Sequence, residues 1–153
     1  MKIMDFLKEK AITANLKATT KEEVIEELVE LLSCAQPIKH KEKLVKILLE
    51  REALGSTGIG QGVAIPHGKS DNMKELIAAF GISQRGVDFN SLDGEPVYLF
   101  FLLVAPEDSA GPHLKALARI SRILKDKYFR ETLRGSPDEK AILKVIKQED
   151  TSK

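Results

Sequence analysis

The sequence predicts an α/β fold: a mixed central β-sheet flanked by helices on both faces. Three observations predict it. The run Val97–Ala105, VYLFFLLVA, is apolar at consecutive positions rather than alternate ones. That is the pattern of a central strand covered on both sides. Capped amphipathic helices alternate with short β-capable runs along the whole chain, which calls for layers of helix on sheet. With 153 residues, 42% hydrophobic and 31% charged, the chain has the makings of one domain spanning 1–153 and can bury a real core.

Taken in order, Ile3–Leu7 suits a short helix and Ala11–Leu16 a short edge strand. Thr20-Lys21-Glu22-Glu23 is a capping box, in which the Thr20 hydroxyl satisfies a free amide and Glu23 reaches back. Val24, Ile25, Leu28, Leu31 and Leu32 then recur at helical spacing, so residues 21–35 form an amphipathic helix that Pro37 closes off. A second helix, Lys41–Ala53, buries Leu44, Val45, Ile47, Leu48 and Leu49, with Gly55 as its C′ residue. Met73–Leu76 is ambiguous. Ile77–Ser83 reads as a strand, Gly86–Phe89 as a second short one, and Leu92-Asp93-Gly94 as a turn. After the buried strand, Pro106 breaks the run. A helix then opens near Pro112, which suits the first helical position, and continues through Leu114, Leu117, Ile120, Ile123 and Leu124. Tyr128–Arg134 is a short helix stopped by Gly135. Ser136-Pro137-Asp138-Glu139 forms another capping box ahead of a last helix that buries Ile142, Val145 and Ile146. The tail after Gln148 is expected to fray.

Composition narrows the function. A net charge of +1 gives no general attraction for nucleic acid or an acidic membrane. Cys34 is the only cysteine, so no disulfide framework exists, which fits a reducing cytoplasm. The charged start MKIMDFLKEK is no signal peptide. Val97–Ala105 is far short of the about 20 residues that span a bilayer, so no integral membrane segment is expected.

The chemistry concentrates between Arg51 and Lys69. This stretch, REALGSTGIGQGVAIPHGK, holds five of the ten glycines and ends on Pro66-His67-Gly68. Dense glycine means tight turns and close approach, and an imidazole framed by proline and glycine suits chemistry better than packing. His67 is therefore the central candidate. Arg51 lies three positions after Leu48 and seven after Leu44, so it points with the apolar stripe of its helix, either as a surface arginine favoured by the helix C-terminal dipole or as a guanidinium aimed into a site formed by the loop. His113 shares a helix face with Leu117, Ile120 and Leu124 and sits in the first turn, where free amides favour an anion. Together the three suggest a phosphate site. Neutral imidazole, with an ordinary pKa of about 6.5, is a competent nucleophile toward phosphorus near neutrality. Arg51 and His113 would stabilise charge on the transferring oxygens, and no cofactor or metal is required. The glycines would leave room for the phosphoryl group.

Other readings fit less well. Gly68-Lys69-Ser70 looks like the end of a nucleotide P-loop, but the required glycine five residues earlier is Val63. Gly58, Gly60 and Gly62 miss dinucleotide spacing. His40, His67, His113 and Cys34 show no zinc-ligand spacing; His40 reads as exposed and Cys34 as packed. Nothing suggests a hydrolase triad or carboxylate pair. Lys115, Arg119 and Arg122 read as a solvated basic face or part of a docking surface.

GSTGIGQGVAIPHGK closely resembles the active-site segment of the enzyme IIA domains of the fructose–mannitol class in the bacterial phosphoenolpyruvate-dependent phosphotransferase system. REALGSTGIG, VDFNSLDGEPV, the apolar strand with its proline, and PHLKALARIS follow in the family's order over nearly the whole chain. The resemblance implies that His67 is the phosphorylated histidine, a nucleophile that accepts phosphate from a phosphorylated histidine phosphocarrier protein. It implies that His113 and Arg51 hold the phosphoryl group. VDFNSLDGEPV and HLKALARIS, with no fused permease, phosphocarrier or IIB domain, look most like the stand-alone nitrogen-regulatory branch, whose phosphorylation state signals to protein partners. The alternatives are a sugar-specific IIA component that passes phosphate to a IIB domain for uptake, and a binding module that keeps the fold without the chemistry. Ala110-Gly111-Pro112 departs from the family pattern just before His113.

Overall fold

The computed structural model describes residues 1–152. After a 3-10 turn at Ile3–Asp5, the strands are β1 (Leu7–Thr13), β2 (Gly58–Gly60), β3 (Val63–Ala64), β4 (His67–Ser70), β5 (Ile77–Val87) and β6 (Val97–Pro106). The helices are α1 (Lys21–Ala35), α2 (Lys41–Leu54), α3 (Ala110–Leu124), α4 (Lys127–Arg134) and α5 (Glu139–Ser152). All six strands join one sheet in the order β1-β5-β6-β3-β2, with β4 pairing β6 beyond β3. The sheet is mixed: β5 runs antiparallel to β6, whereas β3 and β4 run parallel to it.

β6 is the central strand that its sequence predicts. Leu99, Phe101 and Leu103 face one side, where they meet Ile120 and Ile123 of α3, Phe129 of α4, and Ile142 and Ile146 of α5. Phe100, Leu102 and Val104 face the other, against Leu28 and Leu32 of α1 and Leu44 and Leu48 of α2. Each of these six β6 side chains is at most 1% exposed, and burying such a side chain contributes roughly 1.5–3 kcal/mol.

Tertiary contacts redraw several boundaries. β1 begins at Leu7, ahead of the expected start, and its register with β5 breaks between Leu7 and Ile12. The exposed Lys8, Glu9 and Lys10 in that break hide the strand's pattern. The two strands expected at 77–83 and 86–89 are one, β5, with an irregularity between Ile82 and Val87. Gly86 has φ +83°, and a Cβ there would lie 2.7 Å from the Tyr98 ring. α3 starts at Ala110, so Pro112 is its third residue rather than its first. Proline is tolerated there because the first-turn amides have no partner within the helix. Leu114 is 66% exposed and Arg119 is buried, the reverse of the expected faces. Asp138, not Ser136, caps α5 by accepting from the Ala141 amide at 2.9 Å. Cys34 is exposed rather than packed.

The expected frayed tail is instead helical through Ser152. Asp150 is buried and accepts from the amides of Ile3 and Met4, each at 2.9 Å, and from Arg119 Nη2 at 2.9 Å. Its burial opposes ionisation. The Met4 amide, Arg119 and the Ile3 amide outweigh that and hold the carboxyl below its ordinary pKa.

Candidate functional site

The glycine stretch is not one open loop. It folds into β2, β3 and β4, and His67 is the first residue of β4, level with Leu103 of the central strand. β4 is held to β6 through the Leu103 amide, which donates to the Pro66 carbonyl at 2.9 Å. The glycines serve packing more than ligand space. A Cβ on Gly68 would lie 3.2 Å from Ile47 Cγ2 and 3.3 Å from Leu48 Cδ2, so α2 packs directly onto β4. A Cβ on Gly58 would lie 3.0 Å from both Cα and Oγ of Ser91. Close approach of backbone to neighbouring chain, which glycine permits, sets α2 and its Arg51 beside the strand that carries His67.

The structure brings His67 and His113 together from distant segments, with ring centroids 5.5 Å apart and planes at 67°. His67 Nδ1 lies 2.8 Å from the Ile65 carbonyl. A carbonyl only accepts, so Nδ1 carries the proton, and in the neutral ring Nε2 keeps its lone pair. Burial lowers the His67 pKa; the Ile65 hydrogen bond opposes this, the Arg51 charge lowers it further, and Glu52 raises it. His67 is therefore neutral at pH 7.

His113 is buried, and its Nε2 has no hydrogen-bond partner. Burial, with the nearby His67 and Lys69 charges, brings its pKa down to about 4. Arg51, half-buried in the last turn of α2, donates from Nη1 to the Gly55 carbonyl at 2.8 Å. Its charge reaches His67. Arg51, His67 and His113 thus lie at one place, as the sequence suggests. Sequence reasoning missed Glu52. It is the charged member of the buried Leu44–Leu48–Glu52 row on α2, and the same spacing argument that picked out Arg51 would have found it.

The histidines make acid stability pH-dependent. His113 binds a proton in the unfolded chain near pH 6.5 but in the folded protein only near 4. Folding stability is then fully present above about pH 6.5 and declines as pH falls toward 4; His67 adds in the same direction. Scanning calorimetry between pH 7 and 4.5 is expected to show a larger fall in Tm for wild type than for His113→Gln. Equal slopes would contradict the assignment.

An α/β domain whose sheet carries a histidine with Nε2 unprotonated, beside a second imidazole and within reach of an arginine's charge, has the groups that a histidine-based phosphoryl carrier would use. The family model "Phosphoenolpyruvate-dependent sugar phosphotransferase system, EIIA 2" matches residues 5–149, and the chain belongs to this family. It is a phosphoryl carrier of that system, and membership implies phosphoryl transfer through a histidine. The chain is 43% identical to the nitrogen regulatory protein of Bradyrhizobium diazoefficiens over 147 residues, covering 95% of each. It is 39% identical over 150 residues to the fructose-specific EIIABC component of Bacillus subtilis, covering 98% of this chain and 24% of that longer protein. Among solved structures, the nitrogen regulatory protein IIA-Ntr of Neisseria meningitidis matches with a TM-score of 0.86 and 32% identity, covering 94% of this chain and 98% of that one. Among the described residues, no helix is long and apolar enough to cross a membrane.

Proposed function

We propose that His67 is the phosphoryl acceptor and that it reacts through Nε2. The observation that carries this reading is the contact of Nδ1 with the Ile65 carbonyl at 2.8 Å, which leaves Nε2 as the nitrogen with a free lone pair. The donor is the phosphohistidine of a histidine phosphocarrier protein. The Nε2 lone pair forms a bond to phosphorus as the donor's P–N bond breaks, and the donor imidazole keeps that electron pair. His113, with its proton on Nε2, donates to a phosphoryl oxygen, which supplies its unpartnered buried nitrogen with a partner. The Arg51 guanidinium neutralises charge on the same group, exchanging or sharing its contact with Gly55. The chemistry is then positioning plus charge stabilisation.

We read the protein further as a carrier that works in the cytoplasm and whose phosphorylation state is read by regulatory partners. Support for this comes from the end-to-end match with a nitrogen regulatory protein, 95% of both chains. The sugar-specific reading, with transfer on to a IIB domain, draws on the fructose-specific relative. The two separate by whether a IIB domain drains the phosphate.

The test is incubation with phosphoenolpyruvate, enzyme I and a histidine phosphocarrier protein. An acid-labile, base-stable label is expected, assigned by phosphorus NMR to Nε2 of His67. Absence of label, or label on Nδ1, would overturn the proposal. His113→Ala is expected to slow phosphorylation about 10²-fold, the size of loss seen on removing one donor to developing oxyanion charge. Unchanged kinetics would remove its role.

A further inference from the structure

A continuous chain of contacts leads from the start of α1 to His67. Lys21 Nζ pairs with Glu52 Oε1 at 2.9 Å. Lys21 is held in place by the Phe89 ring, 4.7 Å beneath it, and by the Phe89 carbonyl at 3.4 Å. Glu52 accepts twice from Thr57, from the amide at 3.0 Å and from the hydroxyl. The Thr57 carbonyl accepts from the Ile65 amide at 3.0 Å, and the Ile65 carbonyl accepts from His67 Nδ1. Glu52, Thr57 and Ile65 are each at most 6% exposed. A buried carboxylate is costly unless it is paired and fully hydrogen-bonded. This one is paired with Lys21 of α1 and takes its hydrogen bonds from Thr57 in the turn after α2, none from its own helix. The Thr57 it grips is the residue that fixes Ile65, two residues before the nucleophile.

We propose that Glu52 is a positioning residue for His67. Acting through Thr57 and Ile65, it holds the Ile65 carbonyl against Nδ1–H and so keeps Nε2 as the reacting nitrogen, with Lys21 balancing its charge. This rests on the phosphoryl-acceptor reading of His67 only for its kinetic consequence; the effect on the ring itself stands apart. The charged and titratable groups coupled to His67 are Arg51 and Glu52 from α2 and His113 from α3, while Lys69 of β4 couples to His113.

The test reads the His67 tautomer by imidazole ¹⁵N NMR at pH 7.5, alongside the phosphorylation rate. Wild type is expected to show one dominant tautomer, with the proton on Nδ1. In Glu52→Ala the Thr57 turn loses its anchor, the tautomers mix, and phosphorylation slows roughly 10- to 100-fold, the scale expected of a small misplacement. Glu52→Gln should restore most of both. Its carbonyl still accepts from the Thr57 amide, and its NH₂ can donate to the Thr57 hydroxyl. A wild-type tautomer and rate in Glu52→Ala would overturn the proposal, as would Glu52→Gln as impaired as Glu52→Ala. Should Glu52→Ala not fold, Thr57→Val carries the test: it keeps the amide and loses the hydroxyl, so a smaller shift in the same direction is expected, and no shift overturns the proposal. If wild type takes no phosphate yet the tautomer still mixes in Glu52→Ala, the acceptor reading fails and this one stands.

Discussion

His67→Ala is expected to fold normally and to take up no phosphate. His67 is half-buried at the first position of β4, and both apolar faces of the sheet are built from hydrophobic side chains other than its ring. The lost function is large because no other side chain at the site can replace Nε2. His113 is the only other imidazole there, and with its proton on Nε2 that nitrogen donates to a phosphoryl oxygen and has no lone pair to attack phosphorus. Removing the nucleophile of a concerted set typically costs on the order of 10⁴- to 10⁶-fold in rate. Phosphate incorporation followed over hours should stay at background, with circular dichroism unchanged. Label in His67→Ala at a tenth of the wild-type rate or more would show that phosphate lands elsewhere.

Asp150→Ala is expected to give the largest loss of stability of any single change outside the apolar core. The carboxylate satisfies two amides of the 3-10 turn and the Arg119 guanidinium, whose side chain is 7% exposed. Removing it leaves a buried cation without its partner and two amides without an acceptor. Breaking a buried pair from one side costs about 3–5 kcal/mol. At about 2–4 °C per kcal/mol for a chain of this size, Tm should fall by roughly 6–20 °C. Thermal unfolding by circular dichroism measures this directly. The double variant Arg119→Met/Asp150→Leu should recover part of the loss, since it removes the stranded charge. A shift of less than about 2 °C in Asp150→Ala would mean that the pair adds little to the fold. The pair also ties α3, which carries His113, to both ends of the chain, so phosphorylation of Asp150→Ala is expected to slow as well as its stability to fall.

Much of this molecule can be read from local pattern. The unbroken apolar run at Val97–Ala105 announces a strand covered on both sides, and β6 is that strand. Thr20 caps α1 as its spacing indicates, accepting from the Glu23 amide at 3.3 Å. Helical spacing turns His113 inward and puts Arg51 on the α2 side that meets β4. What escaped local pattern depends on distant partners. Charges at Lys8–Lys10 masked β1, because its strand character comes from β5 rather than from its own alternation. The polar end of α5 reads as a tail until Ile3, Met4 and Arg119 supply its partners from up to 147 positions away. Arg119 looks like one of a solvated row until that same carboxylate draws it inside.

The glycine stretch divides along the same line. By itself, the sequence singled out His67 as the candidate for the chemistry, with Arg51 and His113 as its companions, by residue type and spacing. Only the tertiary structure decided which nitrogen of His67 is free, because that depends on the Ile65 carbonyl lying 2.8 Å from Nδ1. It also decided what the glycines are for. Two of them stand where a side chain would press on Ser91 or on Ile47 and Leu48, distances that only the packed helix and loop create.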